Sequence, residues 1–187
     1  DLAIENEGER LLKPGSVIRF VKKRNYWIAT QLPEVESSLV SMDPKTGAIL
    51  ALVGGFDFHR NKYNHVSQAN RQPGSIFKPF IYSAALEKGI TPATLVNDAP
   101  IYITAKELNT NENWEPKNYN EKYDGAIRLR EGLAKSKNLV AIRVLKHIDP
   151  EYALDYITRF GFNKKKHSPY LSMALGVGQV TALEMVA

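Results

Sequence analysis

Cysteine is absent from the 187 residues of this chain, so no disulfide can form within it. The absence does not fix the compartment, because proteins without disulfides occur in both oxidising and reducing surroundings. The sequence also lacks any run of about 18 apolar residues, which excludes a predicted membrane-spanning helix, and it carries no recognisable signal peptide. The chain begins with Asp1 and ends in an apolar run at Ala187, and we therefore expect it to be part of a longer protein.

Several kinds of site are also missing. The four histidines have no metal-ligand spacing, no Gly-x-Ser-x-Gly elbow is present, and no glycine-rich loop could cradle a phosphate. The net charge of +5 favours anionic partners, but basic and aromatic residues do not interleave as they do in proteins that stack bases. We interpret Lys164-Lys165-Lys166 as a solvated loop. The sequence therefore indicates no metal, no cofactor and no nucleic acid.

A composition of 43% hydrophobic and 24% charged residues is ordinary for a soluble domain with a core. Alternating and apolar runs predict two hairpins, one over 16–21 and 26–30 and another over 38–42 and 48–53. The turn of the second contains Lys45-Thr46-Gly47. Beyond Gly55 the pattern is mostly helical, with a polar loop around residues 105–124. Strands followed by helices predict an α+β fold with helices packed on an antiparallel sheet.

The most informative segment is Ser75-Ile76-Phe77-Lys78, which follows Pro73-Gly74. A helix is predicted from Ser75 to Lys88, with Gly89 as its stop. Positions i and i+3 of a helix share a face, so the Lys78 amine can reach the Ser75 hydroxyl and take its proton. Taken alone, the pair has a plainer interpretation, in which Ser75 caps the helix and Lys78 is a solvated surface residue.

Lys78 must be neutral to act as a base, whereas a free lysine has a pKa near ~10.4. Its apolar neighbours Ile76, Phe77 and Phe80 favour a lower pKa by desolvation. Ser75 would lie at the positive end of the helix dipole, which favours developing negative charge and disfavours a protonated amine.

A second chemical candidate, Ser136-Lys137-Asn138, lies between two predicted helices, Arg128 to Ala134 and Leu139 to Ile148. Ser136 could pass a proton to a leaving group, and the Asn138 amide could hold a substrate amide. Either residue is also a suitable N-cap for the second helix, which is the plainer alternative.

In this order, the motifs resemble the transpeptidase domain of class A penicillin-binding proteins over roughly residues 33–187. Residues 1–32 resemble the end of the small, OB-like β domain that precedes it. The matching segments are Gly54-Gly55-Phe56-Asp57-Phe58, Tyr63-Asn64, Ala69 to Phe80, Trp114-Glu115-Pro116-Lys117-Asn118, Gly125, Ser136-Lys137-Asn138 and Ala174-Leu175-Gly176.

The resemblance implies the penicillin-binding and serine β-lactamase-like fold and a D,D-transpeptidase that cross-links peptidoglycan. The resemblance also implies a role for each candidate residue: Ser75 matches the family's nucleophile and Lys78 its base. Ser136 matches the proton relay, and Asn138 matches the amide that orients the substrate. The resemblance further implies D-Ala-D-Ala stem peptides and nascent glycan strands as partners and β-lactams as covalent inhibitors. The implied location is the periplasmic face of the cytoplasmic membrane, with the anchor and a glycosyltransferase domain outside this chain.

The family's third motif, Lys-Thr/Ser-Gly, follows the Ser-x-Asn element, whereas Lys45-Thr46-Gly47 precedes Ser75. We interpret this triplet as a turn, place the third motif beyond Ala187, and expect residues 1–187 alone to be nearly inactive. Four alternatives stay open: a serine β-lactamase, a D,D-carboxypeptidase that uses water as acceptor, a non-catalytic β-lactam sensor, and a structural cell-wall scaffold. A class A lactamase is disfavoured because neither Glu151 nor Glu184 stands in a Glu-x-x-x-Asn context.

Overall fold

The computed structural model describes residue 15 and residues 17–30, 33–108 and 111–187. The chain divides into two compact units between Glu36 and Ser37. The domain boundary expected from the sequence, after residue 32, falls beside residues 31 and 32, which lie outside the described residues.

The first unit contains the predicted N-terminal hairpin, with β1 (Arg19–Lys23) antiparallel to β2 (Tyr26–Thr30). The first strand begins later than predicted, and Ser16 lies outside the described residues. Arg24 makes the turn with a φ of 42°, in the left-handed region.

The second unit begins with the other predicted hairpin, β3 (Leu39–Met42) paired antiparallel with β4 (Ile49–Val53). The Asp43 carboxylate accepts hydrogen bonds from the backbone N–H groups of Lys45 and Thr46, at 2.9 and 2.8 Å, and so fixes the turn. Gly47 has a φ of 70°. The interpretation of Lys45-Thr46-Gly47 as turn residues is therefore confirmed.

The rest of the unit is mainly helical, as predicted, and the fold class is α+β. One further antiparallel pair joins β5 to β6, and short 3₁₀ segments link several helices. The remaining elements are β5 (Leu95–Asp98), β6 (Gly125–Arg128), α1 (Lys78–Glu87), α2 (Ala105–Leu108), α3 (Leu129–Ala134), α4 (Asn138–Ile148), α5 (Pro150–Tyr156) and α6 (Ala182–Val186), with 3₁₀ helices at Gly74–Phe77, Ile157–Phe160, Lys164–Lys166 and Leu171–Leu175.

Two loop predictions are corrected. The polar loop around residues 105–124 contains α2, at whose start the Thr104 hydroxyl accepts from the Glu107 N–H at 3.2 Å. Two backbone hydrogen bonds also join Ile103 to Trp114 in a bridge. Lys164–Lys166 forms a 3₁₀ turn rather than a loop, and the predicted solvent exposure is confirmed for Lys164 and Lys165. Two of its lysines are paired, Lys164 with Asp155 and Lys166 with Glu184.

Helix α4 is the centre of the core, because most of its circumference is apolar and buried. It packs against α1, α3, α5, β5 and the 3₁₀ helix Leu171–Leu175. Each fully buried Leu, Ile or Val side chain contributes about 1.5–3 kcal/mol. The buried residues of α4 are Leu139, Val140, Ala141, Ile142, Val144, Leu145 and Ile148.

An aromatic cluster anchors the start of α1. The Phe77 ring is fully buried and lies 5.1 Å from the His167 ring in a stacked arrangement and 5.3 Å from the Phe162 ring, edge to face. Such ring pairs add about 0.5–1.5 kcal/mol beyond the area they bury. Phe77 therefore holds the backbone between positions 75 and 78 against the core.

Candidate active site

Ser75 lies in the 3₁₀ helix Gly74–Phe77, which continues into α1. The predicted helix is therefore confirmed, although its first turn is 3₁₀ rather than α. Ser75 and Lys78 hold positions i and i+3 of this 3₁₀ turn, which are eclipsed in such a helix, and the backbone N–H of Lys78 donates to the Ser75 carbonyl. Ser75 is exposed, and the N-cap position belongs to Pro73. The plainer interpretation of Ser75 as a cap is wrong.

A close backbone approach holds the residue before Ser75. The Gly74 N–H donates to the Gly176 carbonyl at 3.1 Å, and an antiparallel bridge joins Arg71 to Val180 nearby. Gly176 has a φ of 71°, and a Cβ added to it would lie 2.1 Å from the Gly74 carbonyl oxygen. Only glycine fits this position without displacing the backbone.

Lys78 is fully buried, so it is not the solvated residue of the plainer interpretation. Its amine donates to the Ser136 carbonyl at 2.7 Å, the Ser136 hydroxyl at 3.1 Å and the Asn138 Oδ1 at 2.8 Å. These three acceptors match the three protons of an ammonium. Burial lowers the pKa of Lys78 to about 8, as the apolar neighbours predicted. The amine can therefore lose a proton near neutral pH.

Ser136 ends α3 in a left-handed conformation, with a φ of 52°. The Ser136 N–H donates to the Leu133 carbonyl at 2.9 Å and the Lys137 N–H to the Gly132 carbonyl at 2.8 Å. This bonding pattern is a Schellman motif, in which glycine usually occupies the left-handed position. A serine there costs backbone energy, and it gains the contact between its hydroxyl and the Lys78 amine.

Asn138 is the first residue of α4, and Lys137 occupies the N-cap position without a side-chain cap. The capping alternative is therefore wrong for both Ser136 and Asn138. Asn138 Oδ1 accepts from Lys78, and its Nδ2 donates to the Lys117 carbonyl at 2.9 Å. The amide is thus held at both ends, and by its valence it retains one N–H and one lone pair.

A buried polar network behind these residues was not predicted. Asn118 Oδ1 accepts from the Asn138 N–H at 2.9 Å, and its Nδ2 donates to Asp98 at 2.7 Å. Lys137 lies 2.8 Å from Asp98 and 3.2 Å from Asp124. The only sequence signals were Asn118 in the Trp114–Asn118 segment and Lys137 within the Ser136–Asn138 element. A side chain that bonds residues 20 positions away leaves no local pattern.

Opposing effects act on the charges of this network. Burial alone would raise the pKa of the Asp98 carboxyl, but hydrogen bonds from Asn118, Lys137 and the Asp124 backbone hold it below its ordinary value. Burial alone would lower the pKa of Lys137, but hydrogen bonds to Asp98 and Asp124 raise it. Both groups are therefore charged at neutral pH.

A cavity of about 380 Å³ opens beside Ser136. Tyr119 is exposed at its edge, whereas Trp114 packs partly against the core. Within the described residues, no group of three or more His, Asp or Glu side chains is arranged to hold a metal ion, and no helix is long and apolar enough to cross a membrane. The cavity is lined by Asn118, Tyr119, Asn120, Asp124, Lys135, Ser136 and Lys137.

Comparison with known proteins gives a consistent match. The family model described as penicillin binding protein transpeptidase domain matches residues 37–185. The chain is 51% identical to penicillin-binding protein 1A of Neisseria cinerea over 185 residues, which cover 98% of the chain and 23% of that protein. It is 52% identical to penicillin-binding protein 1A of Pseudomonas aeruginosa over 155 residues, which cover 83% of the chain and 19% of that protein.

The fold comparison agrees. A crystal structure of penicillin-binding protein 1A from Haemophilus influenzae superposes with a TM-score of 0.83 and 40% identity, covering 90% of this chain and 25% of that one. The chain thus spans about a quarter or less of the length of these relatives.

Proposed function

Because the chain belongs to the penicillin-binding protein transpeptidase family, we propose that it carries the first part of a serine D,D-transpeptidase site, which cross-links peptidoglycan through an acyl-enzyme on Ser75. Its substrates are stem peptides that end in D-Ala-D-Ala, and β-lactams are its covalent inhibitors. In the whole protein, this domain works beside a glycosyltransferase that extends the glycan strands, anchored at the periplasmic face of the cytoplasmic membrane. Residues 1–32 are the end of the small β domain that precedes it, and the third motif lies outside this chain.

The observation that carries the proposal is the state of Lys78. It is fully buried, its pKa is lowered to about 8, and it lies one 3₁₀ turn after the exposed Ser75. An amine with this pKa is about one tenth neutral at pH 7, because pH 7 lies one unit below it. A free lysine, with a pKa near ~10.4, would have less than about one amine in a thousand in the neutral form at pH 7. Burial therefore supplies a base that a surface lysine could not.

Acylation follows from this arrangement. The neutral Lys78 amine removes the Ser75 proton as Oγ forms a bond to the carbonyl carbon of the penultimate D-Ala. The backbone N–H of Ser75 stabilises the oxyanion, a kind of contact worth about 10²–10³ in rate. When the C–N bond breaks, the electron pair goes to nitrogen, and the proton held by Lys78 reaches that nitrogen through the Ser136 hydroxyl, 3.1 Å from the amine. Free D-Ala then leaves.

Transfer reverses these steps with a second substrate. An amine of a neighbouring stem peptide attacks the Ser75 ester, and its proton passes to Ser75 Oγ as the C–O bond breaks. An amide cross-link forms, and the serine is regenerated. Asn138 is held by Lys78 and Lys117, and its remaining N–H and lone pair are available to a substrate amide.

The test is intact-mass spectrometry of the full-length protein after incubation with benzylpenicillin, with Ser75→Ala as the matched variant. We expect one stable penicillin adduct in the parent and none in Ser75→Ala. Peptide mapping should place the adduct on the segment that contains Ser75. The absence of any adduct in the full-length protein would refute the proposal.

Other outcomes identify the alternatives. Rapid hydrolysis of benzylpenicillin, with no adduct that persists, would indicate a β-lactamase. A stable adduct in a protein that never cross-links pentapeptide-bearing strands would indicate a sensor. The chain of residues 1–187 by itself is expected to acylate far more slowly than the full-length protein, because it lacks the third motif, whose strand in this family supplies the second N–H donor to the oxyanion. Equal rates would contradict that expectation.

A further inference from the structure

The first turn of α4 is capped from a distance. The N-cap position, Lys137, contributes no side-chain bond. Instead, Asn118 Oδ1 accepts from the N–H groups of Asn138, at 2.9 Å, and Leu139, at 3.4 Å. These are two of the N–H groups that a helix leaves without an internal partner. A side chain 20 residues earlier therefore sets where α4 begins.

Asn118 is itself fixed. It is buried, and its Nδ2 donates to Asp98 Oδ1 at 2.7 Å and to the Lys122 carbonyl at 2.8 Å. Its oxygen therefore faces α4 without ambiguity, because the other end of the amide must donate. The bond to a carboxylate is charge-assisted and about twice as strong as a neutral one.

Asp98 is a rigid anchor for this bond. It is fully buried, and its other oxygen accepts from the Lys137 amine at 2.8 Å and the Asp124 N–H at 2.9 Å. Lys137 stands between Ser136 and Asn138 in the chain, and its backbone therefore moves with both. The ion pair holds this segment through the Lys137 side chain. Asn118 holds it through the backbone N–H groups of Asn138 and Leu139.

Asn138 connects this frame to the reacting groups, since its N–H is capped by Asn118 and its Oδ1 accepts from the Lys78 amine at 2.8 Å. We propose that Asn118 is a positioning residue for acylation: anchored on the buried Asp98–Lys137 ion pair, it fixes the first turn of α4 so that Asn138 meets the Lys78 amine. The inference rests on the proposed function, and it adds residues that do not touch the reacting atoms.

A purely structural role would have different consequences. If Asn118 only stabilised the fold, its loss would reduce the amount of folded protein, but each folded site would react as before. If it positions Asn138, its loss also weakens an acceptor of the Lys78 ammonium. Since that acceptor favours the charged amine, the rise of the acylation rate with pH would move to lower pH, while the limiting rate would fall.

The experiment measures acylation of the full-length protein by a fluorescent penicillin from pH 6 to 10, normalised to the fraction of sites that can be titrated. We expect Asn118→Ala to lower the limiting rate at least tenfold and to move the midpoint to lower pH. The matched control is Asn163→Ala, because Asn163 also accepts from a backbone N–H, that of Lys165, but at the 3₁₀ turn of residues 164–166. The control should keep the parent's rate and midpoint.

A charge-conserving exchange covers the case in which Asn118→Ala does not fold. Asn118→Asp alone places two carboxylates where the 2.7 Å bond was, and should acylate poorly. Adding Asp98→Asn restores one donor and one acceptor between positions 98 and 118 with the total charge unchanged, although not the bond to the Lys122 carbonyl, and should recover at least threefold in rate over Asn118→Asp.

The outcomes separate the two proposals. If the parent is not acylated, the proposed function fails, and this inference fails with it. If the parent is acylated and Asn118→Ala keeps its limiting rate and midpoint per titrated site, only the positioning role is overturned. The positioning role is overturned as well if the exchange recovers no rate over Asn118→Asp.

Discussion

The Lys78 amine lies 2.8 Å from Oδ1 of Asn138, although 60 residues separate them in the chain. One residue begins α1 and the other begins α4, and these two helices pack directly against each other. The contact therefore unites the Ser75 and Ser136–Asn138 elements in one site. The Lys78 amine is therefore surrounded by oxygen acceptors, while the aliphatic part of its side chain is buried.

The acylation rate should depend on the ionisation of Lys78. Burial lowers the pKa of this amine to about 8, and in the proposed mechanism only its neutral form accepts the Ser75 proton. We expect the rate of penicillin acylation to rise about tenfold per pH unit below pH 8 and to level off above it, as measured by stopped-flow between pH 6 and 10.

Lys78→Met removes the proposed base and should lower the limiting rate by about 10²–10⁴. Lys62→Met is the matched control, because Lys62 is an exposed lysine. A rate that rises only near pH 10 would show that Lys78 titrates like a free lysine and would contradict this prediction.

Ser136 should trade stability for function. Its φ of 52° costs about 1–2 kcal/mol for a residue with a side chain. Ser136→Gly and Ser136→Ala both remove the hydroxyl, but only glycine relieves the strain. We expect both to lower acylation at least tenfold, and Ser136→Gly to be more stable than Ser136→Ala by about 1 kcal/mol in urea unfolding.

The two variants thus serve as controls for each other. Equal stability would show that the left-handed conformation carries no strain. Acylation at the parent's rate in either variant would show that the hydroxyl passes no proton in the rate-limiting step.

The buried pair of Asp98 and Lys137 should make stability depend on acid pH. The folded pKa of Asp98 lies below its unfolded value of about 3.9, so its contribution is complete above the unfolded value and is lost as pH falls through the folded one. Asp98→Asn should cost roughly 1–3 kcal/mol at pH 7. The difference from the parent should shrink at pH 3, and urea unfolding at both values measures it.

A second variant tests the origin of that cost. Asp98→Asn leaves the buried Lys137 amine with Asp124 as its remaining carboxylate partner. Adding Lys137→Met removes the poorly paired charge and should recover part of the loss, because an unpaired buried charge costs more than a missing pair. A stability difference that is the same at pH 7 and pH 3 would contradict the assignment to Asp98.

How far the sequence predicted this site depends on whether each contact is local. Ser75 and Lys78 are three residues apart, so helical periodicity alone placed them on one edge, and the β3–β4 turn followed from its own residues. The burial of Lys78 was expected from Phe77 and its neighbours. The bonds from Asn118 to Asp98 and Asn138 span about 20 residues each, and only the folded chain brings them together. The left-handed Ser136 was not predicted, because serine gives no signal for that conformation.

Gly176 should control the position of Ser75 through the backbone of Gly74. A Cβ at position 176 would lie 2.1 Å from the Gly74 carbonyl oxygen, and the contact is with backbone, which cannot rotate away. We expect Gly176→Ala to displace the 3₁₀ turn and lower acylation at least tenfold, since a shift of about 1 Å can cost 10²-fold in rate.

Gly161→Ala is the matched control, because Gly161 has a φ of 85° and no atom within 4 Å of an added Cβ. Both variants should lose about 1–2 kcal/mol for the left-handed alanine, but Gly161→Ala should acylate like the parent. If Gly176→Ala also acylated like the parent, the turn would tolerate the displacement, and the contact with Gly74 would not position the nucleophile.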